Sequence, residues 1–258
     1  MNRHLARPLI ALIATLAVLT AACSSAPAKP ALTDPKEILT QAVVSLKDVK
    51  TFEFTASFAG NMTAGQLGNL DLSTMKLTGA VDAGSKKASI SFDAPTLFGT
   101  KFEARLVGNA AYYKVAGMLA TMLPGSADKF TKVDGLTSTN TAASDATDIA
   151  KVSAELKAGL DLLPNPPTKA ADERCGDQDC YHVTLAISPS DLPGVPTAGV
   201  VSGNILLDVL SRKSDYRPAR LSMKVASPTA GEVTMTFDLR YDVSVNVEAP
   251  PADQVIAK

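Results

Sequence analysis

The polarity of the chain changes period along its length, and the changes mark out its elements. Asp34-Pro35-Lys36-Glu37 has the form of a helix start, with Asp as N-cap, Pro at the first helical position and Glu at the third. Ile38, Leu39, Ala42, Val43, Leu46 and Val49 then recur at helical spacing, which predicts an amphipathic helix of about fifteen residues. From Phe52 the period drops to two. Phe52, Phe54, Ala56 and Phe58 alternate with Glu53, Thr55 and Ser57, as in a strand with one apolar face. Leu77 and Val81 oppose Lys76, Thr78 and Asp82, and Ala88, Ile90 and Phe92 oppose Lys87, Ser89 and Ser91. Phe102, Ala104 and Leu106 oppose Lys101, Glu103 and Arg105, and Gly108-Asn109 turns into a strand around Tyr112 and Val115. Late in the chain Val233, Met235, Phe237, Leu239 and Tyr241 oppose Thr234, Thr236, Asp238, Arg240 and Asp242. Alternation over so many strands predicts antiparallel pairing with one face wet and the other covered.

Between the strand groups, residues 117–123 carry Met118, Leu119 and Met122 and predict a short apolar helix stopped by Pro124-Gly125. Residues 145–163 predict a longer one, with Ile149, Val152, Leu156, Leu160 and Leu163 on a stripe and Pro164, Pro166 and Pro167 beyond its end. No fixed-period repeat and no domain-sized linker interrupts the pattern. The expectation is a single α+β domain over residues 34–251, with a short tail at 252–258.

The first residues read as an address. Arg3 and Arg7 precede an apolar run over residues 9–19, too short to span a bilayer comfortably, and Thr20-Ala21-Ala22 leads into Cys23. This is a secretory signal over residues 1–22 with a lipobox-like end, so Cys23 is the expected lipidation site; Leu19 lies four residues before it, where such boxes usually place it three before. Residues 23–33 then form a small-residue, Pro-containing tether that holds the domain at the outer face of the cytoplasmic membrane without inserting it.

The 258 residues are 46% apolar and 20% charged, which is ordinary globular composition. The formal charge is −1, and cleavage before Cys23 removes two arginines and no acid. With no basic surplus, nucleic acid is not an expected partner. The histidines are His4 and His182, so no multi-His metal centre is expected, nor any other metal or cofactor. His182 falls on the polar side of its strand, opposite Tyr181, Val183, Leu185 and Ile187, and reads as a solvated surface residue. Ser73-Thr74-Met75-Lys76 matches the Ser-x-x-Lys of penicillin-recognising enzymes, but that chemistry needs the serine to open a helix, and here the lysine enters a strand. Ser126-Ala127-Asp128-Lys129 matches the same pattern, which shows how little it selects. With no phosphate loop, dinucleotide fingerprint or nucleophile elbow, no catalytic residue is assigned.

Cys175 and Cys180 flank Gly176-Asp177-Gln178-Asp179, a turn-like stretch entering the strand of Tyr181–Ile187. Outside the cytoplasm such a pair is expected to form a disulfide across the hairpin end, worth roughly 2 kcal/mol for so short a loop.

A broad sheet with one apolar face must cover that face, and the predicted helices supply only about forty residues for the purpose. Either the sheet curls on itself or a ligand fills the space. Strand phenylalanines serve equally as plain core, and this reading of the residues leaves both open.

The mature chain resembles the mycobacterial LppX/LprA/LprF/LprG lipoproteins. The likeness rests on the first helix with Lys47-Asp48-Val49-Lys50-Thr51 leading into a strand, on Ala104-Arg105-Leu106-Val107-Gly108-Asn109-Ala110-Ala111-Tyr112-Tyr113, and on Val233-Thr234-Met235-Thr236-Phe237 followed by Val243, Val245, Val247 and Pro250. It implies a strongly curved antiparallel half-barrel backed by about three helices, similar to the LolA/LolB carriers. It also implies an apolar cavity that takes acyl chains of lipids or glycolipids. By position, the lining would be Phe52, Phe54, Phe58, Leu77, Val81, Ile90, Phe92, Phe102 and Leu106 from strands, and Met118, Leu119 and Met122 from the helical side. Residues 189–199, rich in Pro, would form a rim loop. The Cys175/Cys180 hairpin departs from the mycobacterial pattern, so the family's cargo does not carry over. The expected function is non-enzymatic lipid binding and transfer by a monomer, with a membrane transporter among its candidate partners. The alternative is an envelope scaffold or lipoprotein chaperone whose apolar groove grips a protein.

Overall fold

The computed structural model describes residues 30–63, 69–122, 127–133, 148–189, 203–227 and 231–256. The signal segment, Cys23 and the first part of the tether lie outside the described residues. Residues Leu32–Lys258 form one compact unit.

Helix α1 (Pro35–Val44) starts as the sequence predicts: the Asp34 carboxylate accepts the Glu37 backbone N–H at 2.8 Å. It is ten residues long, shorter than expected. The Ser45 hydroxyl donates back to the Ala42 carbonyl and Leu46 N–H to Val43, so the helix tightens into a turn and stops. Val49 is buried in the extended link that follows.

The strands are then β1 (Thr51–Thr63), β2 (Asn69–Asp71), β3 (Lys76–Asp82), β4 (Lys87–Ala94), β5 (Thr100–Val107) and β6 (Ala110–Ala116). The short helix α2 (Leu119–Met122) leads to β7 (Phe130–Val133), and helix α3 (Ile149–Asp161) leads to β8 (Thr168–Lys169) and β9 (Glu173–Cys175). β10 (Gln178–Ile187), β11 (Ile205–Arg212), β12 (Pro218–Ser227), β13 (Gly231–Tyr241) and β14 (Val255–Ile256) complete the chain.

All of them join one curved, unclosed sheet, in the order β14-β7-β6-β5-β4-β3-β1-β13-β12-β11-β10-β8, with β2 on β1 and β9 on β10. Pairing is antiparallel except between β14 and β7. Both edges are two-residue strands, which blunts them against pairing with another chain. The residues expected as a tail thus enter the sheet, through a 3-10 turn (Ala252–Gln254) and β14.

Register aligns the apolar positions of neighbouring strands. Phe54 faces Leu239 and Gly79, Gly79 faces Ile90, and Ile90 faces Ala104. Phe237 faces Leu221, which faces Val209, which faces Val183. One face is therefore apolar from β6 to β10, and the other carries Glu53, Thr55, Thr78, Ser89, Arg105, Asp238 and their neighbours.

Cys175 and Cys180 form a disulfide with Cα atoms 5.9 Å apart, at the β9–β10 hairpin. Among the described residues no helix is long and apolar enough to cross a membrane.

Candidate functional site: the open apolar face

Cover on the apolar face is concentrated at two places. Over β10 and β11, Ile38 and Leu39 of α1 bury against Tyr181, Val183 and Tyr216, with Leu32, Leu160 and Val209 packed around them. The Tyr181 hydroxyl accepts the Leu32 N–H at 3.0 Å, which fixes the start of the domain at this end. At the far end of β1, β3 and β4, Leu72, Met75 and Ala94 form a second cluster with Phe58, Phe92, Leu97 and Val233.

Between these clusters the face stays open. Of the strand residues expected to line a cavity, Val81 is buried and Ile90 is exposed, while Phe52, Phe54, Phe58, Leu77, Phe92, Phe102 and Leu106 are half-buried. The register places all nine on one face of the sheet. The Phe54 ring lies over Gly79, where a Cβ would sit 2.3 Å from the ring edge, and its centroid is 6.0 Å from that of Phe237. Leu119 is half-buried and Met118 exposed, at a helix packed on β5 and β6; the Met122 side chain lies outside the described residues.

Helix α3 packs on α1, with the Ser153 hydroxyl donating to the Val43 carbonyl at 2.6 Å and Lys36 paired to Asp161 at 3.2 Å. Asp148 caps it by accepting the Lys151 N–H. Its predicted stripe is only partly used: Leu160 packs on the first cluster, while Leu156 remains 49% exposed and Val152 is exposed as well. An amphipathic helix with an unburied stripe thus accompanies a sheet with an unburied apolar face, and large exposed apolar area signals an interaction.

The end of the face near Leu32 closes with charge. Tyr241 pairs with Phe52, and the Arg212 and Arg217 guanidiniums lie 5.3 and 5.5 Å from its ring centroid, with Asp215 bound to Arg212 at 2.6 Å. Burial pushes the Tyr241 phenol far above its ordinary value, against the pull of the two arginines.

A groove of about 690 Å³ lies on the opposite, polar face. Residues 242–250 cross that face as a strap, where the Glu248 carbonyl accepts from Arg105 at 3.2 Å and Val247 is buried. Glu53, Thr55, Thr78, Ser89, Glu103 and Asn246 line it. Val243, Val245 and Val247 alternate with Ser244, Asn246 and Glu248, and the family resemblance implies a closing strand here. Residues 243–250 form no strand and cross the sheet face instead, which makes the groove.

His182 is on the polar face as expected, but it is not solvated. Its side chain is 17% exposed, with Nδ1 2.8 Å from Glu173 and Nε2 3.0 Å from Asp208. Ser73 sits in a 3-10 turn capped by Asp71, and Lys76 opens β3, so the pair has no shared helix. Ser126 lies outside the described residues, as does the expected rim loop beyond Pro189. Among the described residues no cluster of three or more His, Cys, Asp or Glu side chains could hold a metal ion.

The apolar residues of β11–β13 also belong to the open face and were missing from the expected lining. Leu221, Met223 and Val225 alternate with Arg220, Ser222 and Lys224, a signal present in the sequence. Leu207 and Val209 were masked by Leu206 and Leu210 on the other face.

Among solved structures, the lipoprotein LppX of Mycobacterium tuberculosis superposes with a TM-score of 0.50 at 14% identity, over 83% of this chain and 98% of LppX. LprF of Mycobacterium bovis gives 0.51 at 12% identity, over 84% of this chain and 96% of LprF. The fold is that of LppX and LprF. No protein-family model and no curated protein matches the sequence. The likeness to LppX and LprF therefore lives in the curved sheet and its helices, the architecture that the family resemblance implies.

Proposed function

We propose that this protein binds acyl chains of lipids or glycolipids against the open apolar face and carries them within the cell envelope, anchored through Cys23. The observation that carries this reading is the apolar face itself: continuous from β6 to β10, and half-buried through its middle. Each methylene moved from water onto such a surface contributes roughly 0.8 kcal/mol, so a chain of ordinary length is held by burial alone. The lipobox-like Cys23 and the shared fold with a lipoprotein support the envelope location. No step of bond chemistry is involved, and release follows when a membrane offers equal burial.

The test is native mass spectrometry of residues 32–258 produced in a lipid-rich host, with an organic extract of the same sample. Lipid-mass adducts that disappear in Phe54→Asp or Phe92→Asp, with the fold retained by circular dichroism, are the expected result. A clean apo mass with no uptake of offered diacyl or triacyl lipids would overturn the reading and return the face to a protein partner.

A further inference from the structure

The antiparallel order separates the two ends of the sheet. The turns 83–86, 108–109 and 213–217 lie at one end, together with Leu32 on Tyr181. The β4–β5 turn, residues 95–99, and the exit of β6 into α2 lie at the other. At this second end the chain holds two apolar side chains outward: Phe98 is 58% exposed and Met118 37%.

Phe98 is there at a conformational cost. Its φ is +54°, in the left-handed region that a bulky side chain rarely adopts. Tyr216 has φ +66°, but its ring is only 8% exposed and burial in the first core cluster offsets the strain. At Phe98 most of the ring meets solvent. The preceding Leu97 packs into the second cluster with Phe58 and Phe92, so the turn is rooted in the apolar face and the next residue projects from it. Gly117 (φ +66°) fixes the neighbour: a Cβ there would lie 2.6 Å from the Phe98 carbonyl oxygen and the Thr100 nitrogen. Only glycine permits that backbone contact, and it seats Met118 beside the turn.

We infer that this end is a membrane-contacting tip, in which Phe98 and Met118 enter the acyl region of a lipid surface. The inference rests on the carrier reading for its purpose: Phe92 of the open face and Leu97 share the second cluster, and Phe98 follows Leu97 directly in the chain, so the tip adjoins one end of the face. A tip at the end of the sheet away from Leu32, where the described domain begins, suits delivery to a lipid layer facing the anchored one.

The chain contains no tryptophan, so a single introduced one reports its own surroundings. Full-length F98W, M118W and, as a control on the polar face, S91W are mixed with phosphatidylglycerol–phosphatidylcholine vesicles carrying bromine on the acyl chains. Blue-shifted, quenched emission in F98W and M118W but not in S91W is the expected result. No change in F98W and M118W, or equal change in all three, overturns the inference. Lipid uptake is read separately by native mass spectrometry: quenching at the tip with no uptake would sink the carrier reading and keep the contact, while uptake without quenching does the reverse.

Discussion

On the polar face Phe130 is an aromatic exception, almost fully buried beneath two cations. The Arg105 guanidinium lies 5.0 Å and the Lys114 ammonium 4.6 Å from its ring centroid. Glu103 holds both in place, at 2.7 Å from Arg105 and 3.0 Å from Lys114. Burial pushes the Glu103 carboxyl up, but the hydrogen bonds and charges of these partners outweigh it, so the group titrates below its ordinary value. A carboxylate depressed in the folded state stabilises the protein above its unfolded pKa of about 4.3, and that contribution is lost as pH falls through the folded value. Glu103→Gln is therefore expected to cost roughly 1 kcal/mol at pH 7 and progressively less below about pH 4. Urea midpoints of both proteins at pH 7 and pH 3 check this; a difference as large at pH 3 as at pH 7 would contradict it.

At the scale of elements, the strap and β14 are the parts that tie the polar face together. Deleting residues 251–258 leaves the β7 edge without its partner and uncovers the side of Phe130, at a cost of about 1–3 kcal/mol from unmade backbone hydrogen bonds. Because the deletion removes only the β14 edge and leaves the open face and the strap on its far side in place, acyl loading should survive. Urea unfolding combined with native mass spectrometry separates the two; loss of loading at unchanged stability would show the faces to be coupled. Legibility in the sequence follows the same division. β1, β3, β4, β5 and β13 stand out because each alternates cleanly, and their shared face gives most of the expected lining. β11 is hidden, since Leu206 and Leu210 add apolar residues to its polar side. The strap misleads, since Val243, Val245 and Val247 alternate like a strand while its path is set by contacts such as Arg105 to Glu248, 143 residues apart. The partners of His182 come from β9 and β11, so its environment depends on a register that no local pattern fixes.

For the molecule as a whole, opposite faces and opposite ends divide the work. The polar face is laced by ion pairs, Arg220 to Asp238 at 2.7 Å and Lys224 to Glu232 at 2.8 Å among them, and the apolar face is left short of cover. A domain built this way gains stability from whatever occupies the open face, because a ligand that binds only the folded state adds RT ln(1 + [L]/Kd), about 2.7 kcal/mol at a hundredfold excess over Kd. For a chain of this size that corresponds to a rise in Tm of roughly 5–10 °C. The loaded protein is therefore expected to melt higher than the same protein after delipidation, and Phe54→Asp, which places a charge in the middle of the face, should melt at one temperature whether or not lipid is offered. Calorimetry of the four samples decides it. An equal rise in the variant would place the lipid elsewhere, and no rise in either would mean that the half-buried phenylalanines are complete without a guest.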